Sequence, residues 1–269
     1  MRALLFSSTA VLLLACPAQA VAQQKKPATT APAPAAVAAN PVVSPEIRAE
    51  LGKMADALKA MTSFVLRADV TNEEVLDTGQ KLQNSGVLTF TARRPDRLLI
   101  DIDSEQRKRR IYYDGKMLTV FSPTTGYYAS VDAPPTTRQM LDTVAAKYGL
   151  ETPLADLMEW GSAGVSTDKL TSAIYAGRDR ISGAVCEHYA FRQPGVDWQL
   201  WIRAEGQPLP CKLAITNTDD DAQPQSTMTF NWSTSEPITE SQFVFAPPAN
   251  GRKIILGEVA QNAAQARPK

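Results

Sequence analysis

Between Cys186 and Cys211 the chain is written as three short runs separated by two breaks. Cys186 to Arg192 gives way to Gln193-Pro194-Gly195. Val196 to Arg203 follows, a second break covers Glu205 to Pro210, and Cys211 to Thr216 completes the set. Runs of β-branched and aromatic residues punctuated by Gly/Pro turns predict an antiparallel meander. Cys186 opens the first of these strands and Cys211 the third. If they pair, they close a loop of about 25 residues, worth roughly 3 kcal/mol in the chain-entropy account. Such a bond persists in an oxidising compartment.

The start of the chain points to the same compartment. Met1-Arg2 is a short positive beginning, and Leu4 to Ala15 is an apolar core too short to span a bilayer. Ala18-Gln19-Ala20 is a small-residue cleavage site, so residues 1–20 read as a cleaved signal peptide of an exported protein. An alternative is that Leu13-Leu14-Ala15-Cys16 is a lipoprotein box, making Cys16 a lipidated anchor in the outer membrane. In both cases Cys16 leaves the fold and two cysteines remain. Residues 21–45 form an Ala/Pro-rich tether expected to be disordered, and residues 258–269 a similarly weak tail. The stretch 46–257 is ample for a single β-rich core. With 28 basic and 28 acidic residues, charge gives no reason to expect nucleic acid as a partner. No later segment is long and apolar enough for a membrane-spanning helix.

Ser44-Pro45-Glu46 is a helix start, Ser44 capping and Pro45 standing first. Ile47, Leu51, Met54, Leu58 and Met61 then recur at helical spacing. From Thr62 the period changes to two: Phe64, Leu66, Ala68 and Val70 alternate with Ser63, Val65, Arg67 and Asp69. Further strands surround Val87 to Thr91 and Arg97 to Asp103, where Leu98, Ile100 and Ile102 share a face. Ile111 to Tyr113 and Lys116 to Phe121 flank Asp114-Gly115, the signal for a type I′ hairpin. Tyr127 to Val131 ends this half. Two short helices come next. One carries Met140, Leu141 and Val144 and is capped by Gly149. The other starts at Thr152-Pro153, carries Leu157, Met158 and Trp160, and ends at Gly161. Strands near 172–179, 185–192, 197–203, 211–217 and 226–232 follow. The expected class is α+β: a strongly curved antiparallel sheet of about eleven strands with the helices across one face.

Several landmarks then recur in an order the chain shares with a known group. They are Ser63-Phe64, Arg94-Pro95, Tyr113-Asp114-Gly115-Lys116 with Leu118, Ser122-Pro123, and Phe243, Phe245, Pro247 and Pro248. The sequence resembles the LolA/LolB-like lipoprotein-carrier superfamily, and within it a branch of predicted periplasmic proteins. The resemblance implies an unclosed β-barrel lidded by helices, whose concave face receives acyl chains. It also implies a latch, an arginine before a proline that hydrogen-bonds lid backbone; the matching residue is Arg94. The cysteine pair, the Trp198/Trp201 strand and the basic run Arg107-Lys108-Arg109-Arg110 depart from the carrier pattern.

The search for catalytic chemistry yields little. His188 is the lone histidine, and no Gly-x-Ser-x-Gly elbow or Cys/His metal spacing exists. Asp219-Asp220-Asp221 lacks the spacing of a calcium loop and reads as a solvated hairpin tip. Glu187 and Asp197 would matter as a carboxylate pair only if the fold brought them together. No enzyme activity, cofactor or metal is therefore expected. The expected function is a monomeric, non-enzymatic carrier or binding protein for a lipid, acyl chain or lipidated protein. Its apolar site would be Leu98, Ile100 and Ile102 under Met140, Leu141, Val144, Leu157, Met158 and Trp160. Arg107, Lys108, Arg109 and Arg110 would contact an anionic membrane surface. The alternative is a structural or regulatory envelope protein with a filled core that binds a protein partner.

Overall fold

The computed structural model describes residues 42–150 and 154–258. The signal peptide, Cys16, most of the tether, the helix start at Thr152-Pro153 and the tail beyond Glu258 lie outside the described residues.

Helix α1 (Pro45–Ala60) begins as its sequence dictates, with Ser44 Oγ accepting from the Ile47 amide at 3.3 Å. Its stripe of Ile47, Leu51, Met54 and Leu58 is buried. Six strands follow in sequence: β1 (Ser63–Val75), β2 (Lys81–Arg93), β3 (Arg97–Asp103), β4 (Lys108–Tyr113), β5 (Met117–Phe121) and β6 (Tyr127–Asp132). Helices α2 (Thr137–Tyr148) and α3 (Ala155–Ala163) separate them from β7 (Ser172–Ile181), β8 (Ala184–Gln193), β9 (Val196–Arg203), β10 (Pro210–Asn217) and β11 (Gln225–Ser233). A two-residue β12 (Arg252–Lys253) adds one strand to the expected eleven.

All belong to one curved, unclosed sheet in the order β12-β6-β5-β4-β3-β2-β1-β11-β10-β9-β8-β7. Apart from β12, which pairs parallel with β6, both halves are meanders of consecutive neighbours, joined where β1 pairs antiparallel with β11. That order explains the helices. The chain leaves β6 near one edge and re-enters at β7 on the other, so the connection must cross the sheet. It buries apolar residues as it crosses, because the central strands turn an apolar face toward it. Ladder registers place Leu98, Ile100 and Ile102 of β3 on that face, opposite Ala92, Phe90 and Leu88 of β2. These residues join α1, α2 and α3 in one hydrophobic core.

Two local expectations are corrected. Asp114 does not take the positive φ of a type I′ turn; only Gly115 does, at 87°. Asp114 Oδ1 instead accepts from the Lys116 and Met117 amides at 3.0 and 2.8 Å, stabilising a longer loop. Helix α3 runs past Gly161 to Ala163, because that glycine serves packing rather than termination.

The other face has its own features. Cys186 on β8 and Cys211 on β10 flank β9 and form a disulfide, Cα–Cα 6.7 Å. A ladder irregularity between Pro210 and Lys212 places Cys211 there. With Trp201 and Ala214 the pair makes a small separate apolar cluster. Beyond β11 the chain crosses the outside of the sheet. Glu240 accepts from Arg93 and Arg97, Phe243 is buried, and Phe245 packs against Tyr112, Phe121 and Tyr128 at 5.0–5.3 Å between ring centroids.

Candidate functional site

The concave face has a sealed part and an open part. In the sealed part Leu98, Ile100, Met140, Val144 and Leu157 are buried, and Leu141 and Met158 are half-buried against the same core. The void where α3 and the end of α1 meet the sheet, lined by Leu58, Phe64, Leu66, Phe90, Leu157, Met158 and Trp232, is only about 10 Å³. A second gap of about 80 Å³ lies between α2 and α3, beside Leu141 and Met158. The cover is anchored at its start. The Thr137 amide donates to the Pro95 carbonyl at 2.8 Å, and the Tyr113 hydroxyl donates to the Pro134 carbonyl at 2.5 Å.

Arg94 lines both gaps. Its Nε donates to the Met61 carbonyl, just past α1, at 3.2 Å. On the other side its guanidinium lies against Gly161 of α3, where an added Cβ would meet Nη2 at 2.7 Å. Burial holds the guanidinium below its ordinary pKa. The arginine thus touches α3 while hydrogen-bonding the carbonyl just beyond α1.

Toward the opposite ends of the strands, past the end of α3, an open trough runs over largely buried floor residues. One portion, about 520 Å³, has Val70, Leu88, Ile102 and Met228 along its floor and Asn72, Glu74, Asn84, Gln106 and Arg107 around its rim. A second portion, about 350 Å³, is lined by Trp160, Val165, Val196, Trp198, Leu213 and Ile215, with Lys169 and Glu159 at its rim. The two adjoin, because Leu213 of the second is the direct cross-strand partner of Met228 in the first, and Met228 of Val70. Trp198 stacks on Phe191 at 4.0 Å and faces Trp160 at 6.1 Å. Of the residues expected to form the apolar site, Ile102 and Trp160 therefore stand in the open trough, and the rest in the sealed part.

Sequence reasoning missed Val70, Leu88, Leu213, Ile215 and Met228 as a group. Each carries the period-two signal of its own strand, but only the registers of β10 with β11, β11 with β1 and β1 with β2 bring them into one row.

The basic run divides by the same alternation. Lys108 and Arg110 are paired across the ladder with Asp103 and Asp101, each at 2.8 Å. Arg109 lies opposite Ile102, and Arg107 is at the trough rim. The register of β8 with β9 sets Glu187 opposite Ile202 and Asp197 opposite Arg192, so the two carboxylates are not cross-strand partners. Glu187 accepts from Tyr175 and Arg178, and the Tyr175 bond is the leading cause of its lowered pKa. Asp197 binds Arg192 through both oxygens at 2.8 and 2.6 Å. His188 stacks on Trp201 at 4.1 Å and bonds Gln199 at 3.0 Å, a structural setting. Among the described residues no three His, Cys, Asp or Glu side chains group to hold a metal ion. Also among them, no helix is long and apolar enough to cross a membrane. The trough offers an apolar chain a floor and a polar rim.

Residues 48–257 match a family described as predicted periplasmic protein (DUF2092). The match spans the landmarks from Ser63 to Pro248. No curated protein matches the chain significantly in sequence. Solved structures similar to it include an uncharacterized conserved protein from Thermus thermophilus, at 10% identity and TM-score 0.44, covering 78% of this chain and 99% of that one. Another is the lipoprotein LppX of Mycobacterium tuberculosis, at 13% identity and TM-score 0.43, covering 73% and 99%. A LolA superfamily protein from Nitrosomonas europaea is similar at 10% identity and TM-score 0.36, covering 73% and 96%.

Proposed function

The chain belongs to this family of periplasmic proteins, DUF2092, and from that premise we propose that it is a carrier or binding protein for a lipid, an acyl chain or a lipidated protein. The observation that carries the reading is the apolar row from Trp198 through Leu213, Met228 and Val70 to Leu88 and Ile102, largely buried side chains that line two open grooves at the margin of the core. An apolar floor several residues long, with its polar groups at the rim, suits a chain-like ligand. Binding begins in the trough and extends under α3 as the helices part. Leu98, Ile100, Met140, Leu141, Val144, Leu157 and Met158 then become ligand contacts, and Arg94 closes the cover when the ligand leaves.

One observation favours a second reading, an envelope protein whose filled core serves as a scaffold for a protein partner. It is the void of about 10 Å³ beneath α3. Fluorescent fatty-acid titration separates the two. The carrier binds the probe, and Met228→Glu or Ile102→Glu weakens binding at least about tenfold, since a charge is costly on an apolar floor, in variants that unfolding melts show to be folded. If the wild-type protein binds no acyl probe and brings no lipid with it from the periplasm, the carrier reading fails and the scaffold remains.

A further inference from the structure

At the β12 edge of the sheet, Arg252, Lys253, Ile254 and Ile255 follow one another and all are exposed, Ile255 at 94% and Ile254 at 48%. Beside them Tyr127 is 41% exposed. The segment is fixed, not trailing. The Arg252 amide donates to the Gly126 carbonyl at 2.9 Å and the Ile254 amide to the Tyr128 carbonyl at 2.8 Å. Protection of a sheet edge against self-association accounts for the lysine and the arginine. It does not account for the isoleucines, which would promote what the charges prevent.

Exposed aliphatic side chains separate this patch from the other basic stretch, half of which is ion-paired. Lys108 and Arg110 are matched by Asp103 and Asp101. Neither Arg252 nor Lys253 meets an acidic partner among the described residues. Two uncompensated cations, two exposed aliphatic side chains and a tyrosine on one edge have the chemistry of interfacial contact. The cations meet lipid phosphates, the aliphatic groups reach the acyl boundary, and the phenol lies at headgroup level. We infer that the β12 edge docks on an anionic lipid bilayer surface. The same segment continues to Glu258, which meets Lys147 of α2 at 2.8 Å. The docking edge is thus six residues or fewer from a contact with the helical cover, which places that cover close to the membrane.

The test is flotation of the full chain with vesicles of phosphatidylethanolamine and phosphatidylglycerol, against vesicles of phosphatidylcholine alone. The protein should float with the anionic vesicles and lose that binding at high salt. Joint Arg252→Gln and Lys253→Gln should weaken binding about tenfold or more, and Ile255→Ser should also weaken it. Arg107→Gln with Arg109→Gln should leave it unchanged. These side chains are exposed, and unfolding melts verify that each variant folds. Equal binding by wild type and the Arg252/Lys253 variant, absence of binding to every vesicle, or loss only in the Arg107/Arg109 variant would each overturn the inference. Fatty-acid titration of the Arg252/Lys253 and Ile255 variants in solution, whose side chains lie away from the trough, reads the carrier function separately, so failure of one does not mimic failure of the other.

Discussion

Tyr113 and Tyr189 are phenols set into the concave face, and both are pushed up to about 12, chiefly by burial and then by the nearby carboxylates of Asp96 and Glu50 respectively. In the unfolded chain a tyrosine ionises near pH ~10. The folded pKa is raised, so the unfolded state releases its proton first as pH climbs. The contribution to stability is complete below pH ~10 and is lost as pH rises through about 12. Denaturant midpoints measured at pH 8, 10 and 11 should therefore fall only in the upper part of that range. In Tyr113→Phe the fall should be shallower, although overall stability drops because the hydrogen bond to the Pro134 carbonyl is gone. An equally steep fall in the variant would mean that other groups govern the alkaline limb.

Among the elements, α3 shows most clearly how the cover is held. Leu157 is 3% exposed, so Leu157→Ala should lower unfolding free energy by about 2–5 kcal/mol, through lost burial and the cavity left behind. Met158 is half-buried and should cost less. Gly161→Ala forces a methyl group toward Arg94 and Leu58, at 2.7 and 3.2 Å. It should loosen α3 and speed entry of a fluorescent fatty acid in stopped-flow mixing; unchanged entry would show that α3 does not gate the interior. Much of this was legible in the sequence. Period-two alternation marked nearly every strand, and Ser44 and Gly149 cap α1 and α2 as their residue types predict. The extent of β2 was not legible. It runs from Lys81, well before Val87, because pairing with β1 sustains a polar stretch that has no apolar alternation of its own. Nor was the trough visible, since a row across β9, β10, β11, β1, β2 and β3 depends on six strands keeping register. The site of Phe245 was hidden for a related reason. Its contacts, Tyr112, Phe121 and Tyr128, come from three strands and meet only once the sheet exists.

At the scale of the whole molecule, the sheet order has a consequence for how the chain is assembled. β1 occupies the middle of the sheet, yet its partner on one side, β11, begins only at Gln225. While the first meander forms, the β1 edge that later holds Val65 to Asn72 against Ser233 to Ser226 offers unsatisfied amides and carbonyls. A newly translocated chain is therefore sticky until its last long strand arrives, since free edges recruit strands from other chains. A fragment comprising residues 42–150 should form large species in sedimentation, and adding residues 154–258 in trans should suppress them by supplying β11. A fragment that stayed monomeric alone would show that this edge is shielded some other way. The position of β1 thus makes β11 a guard against self-association for the strands that precede it.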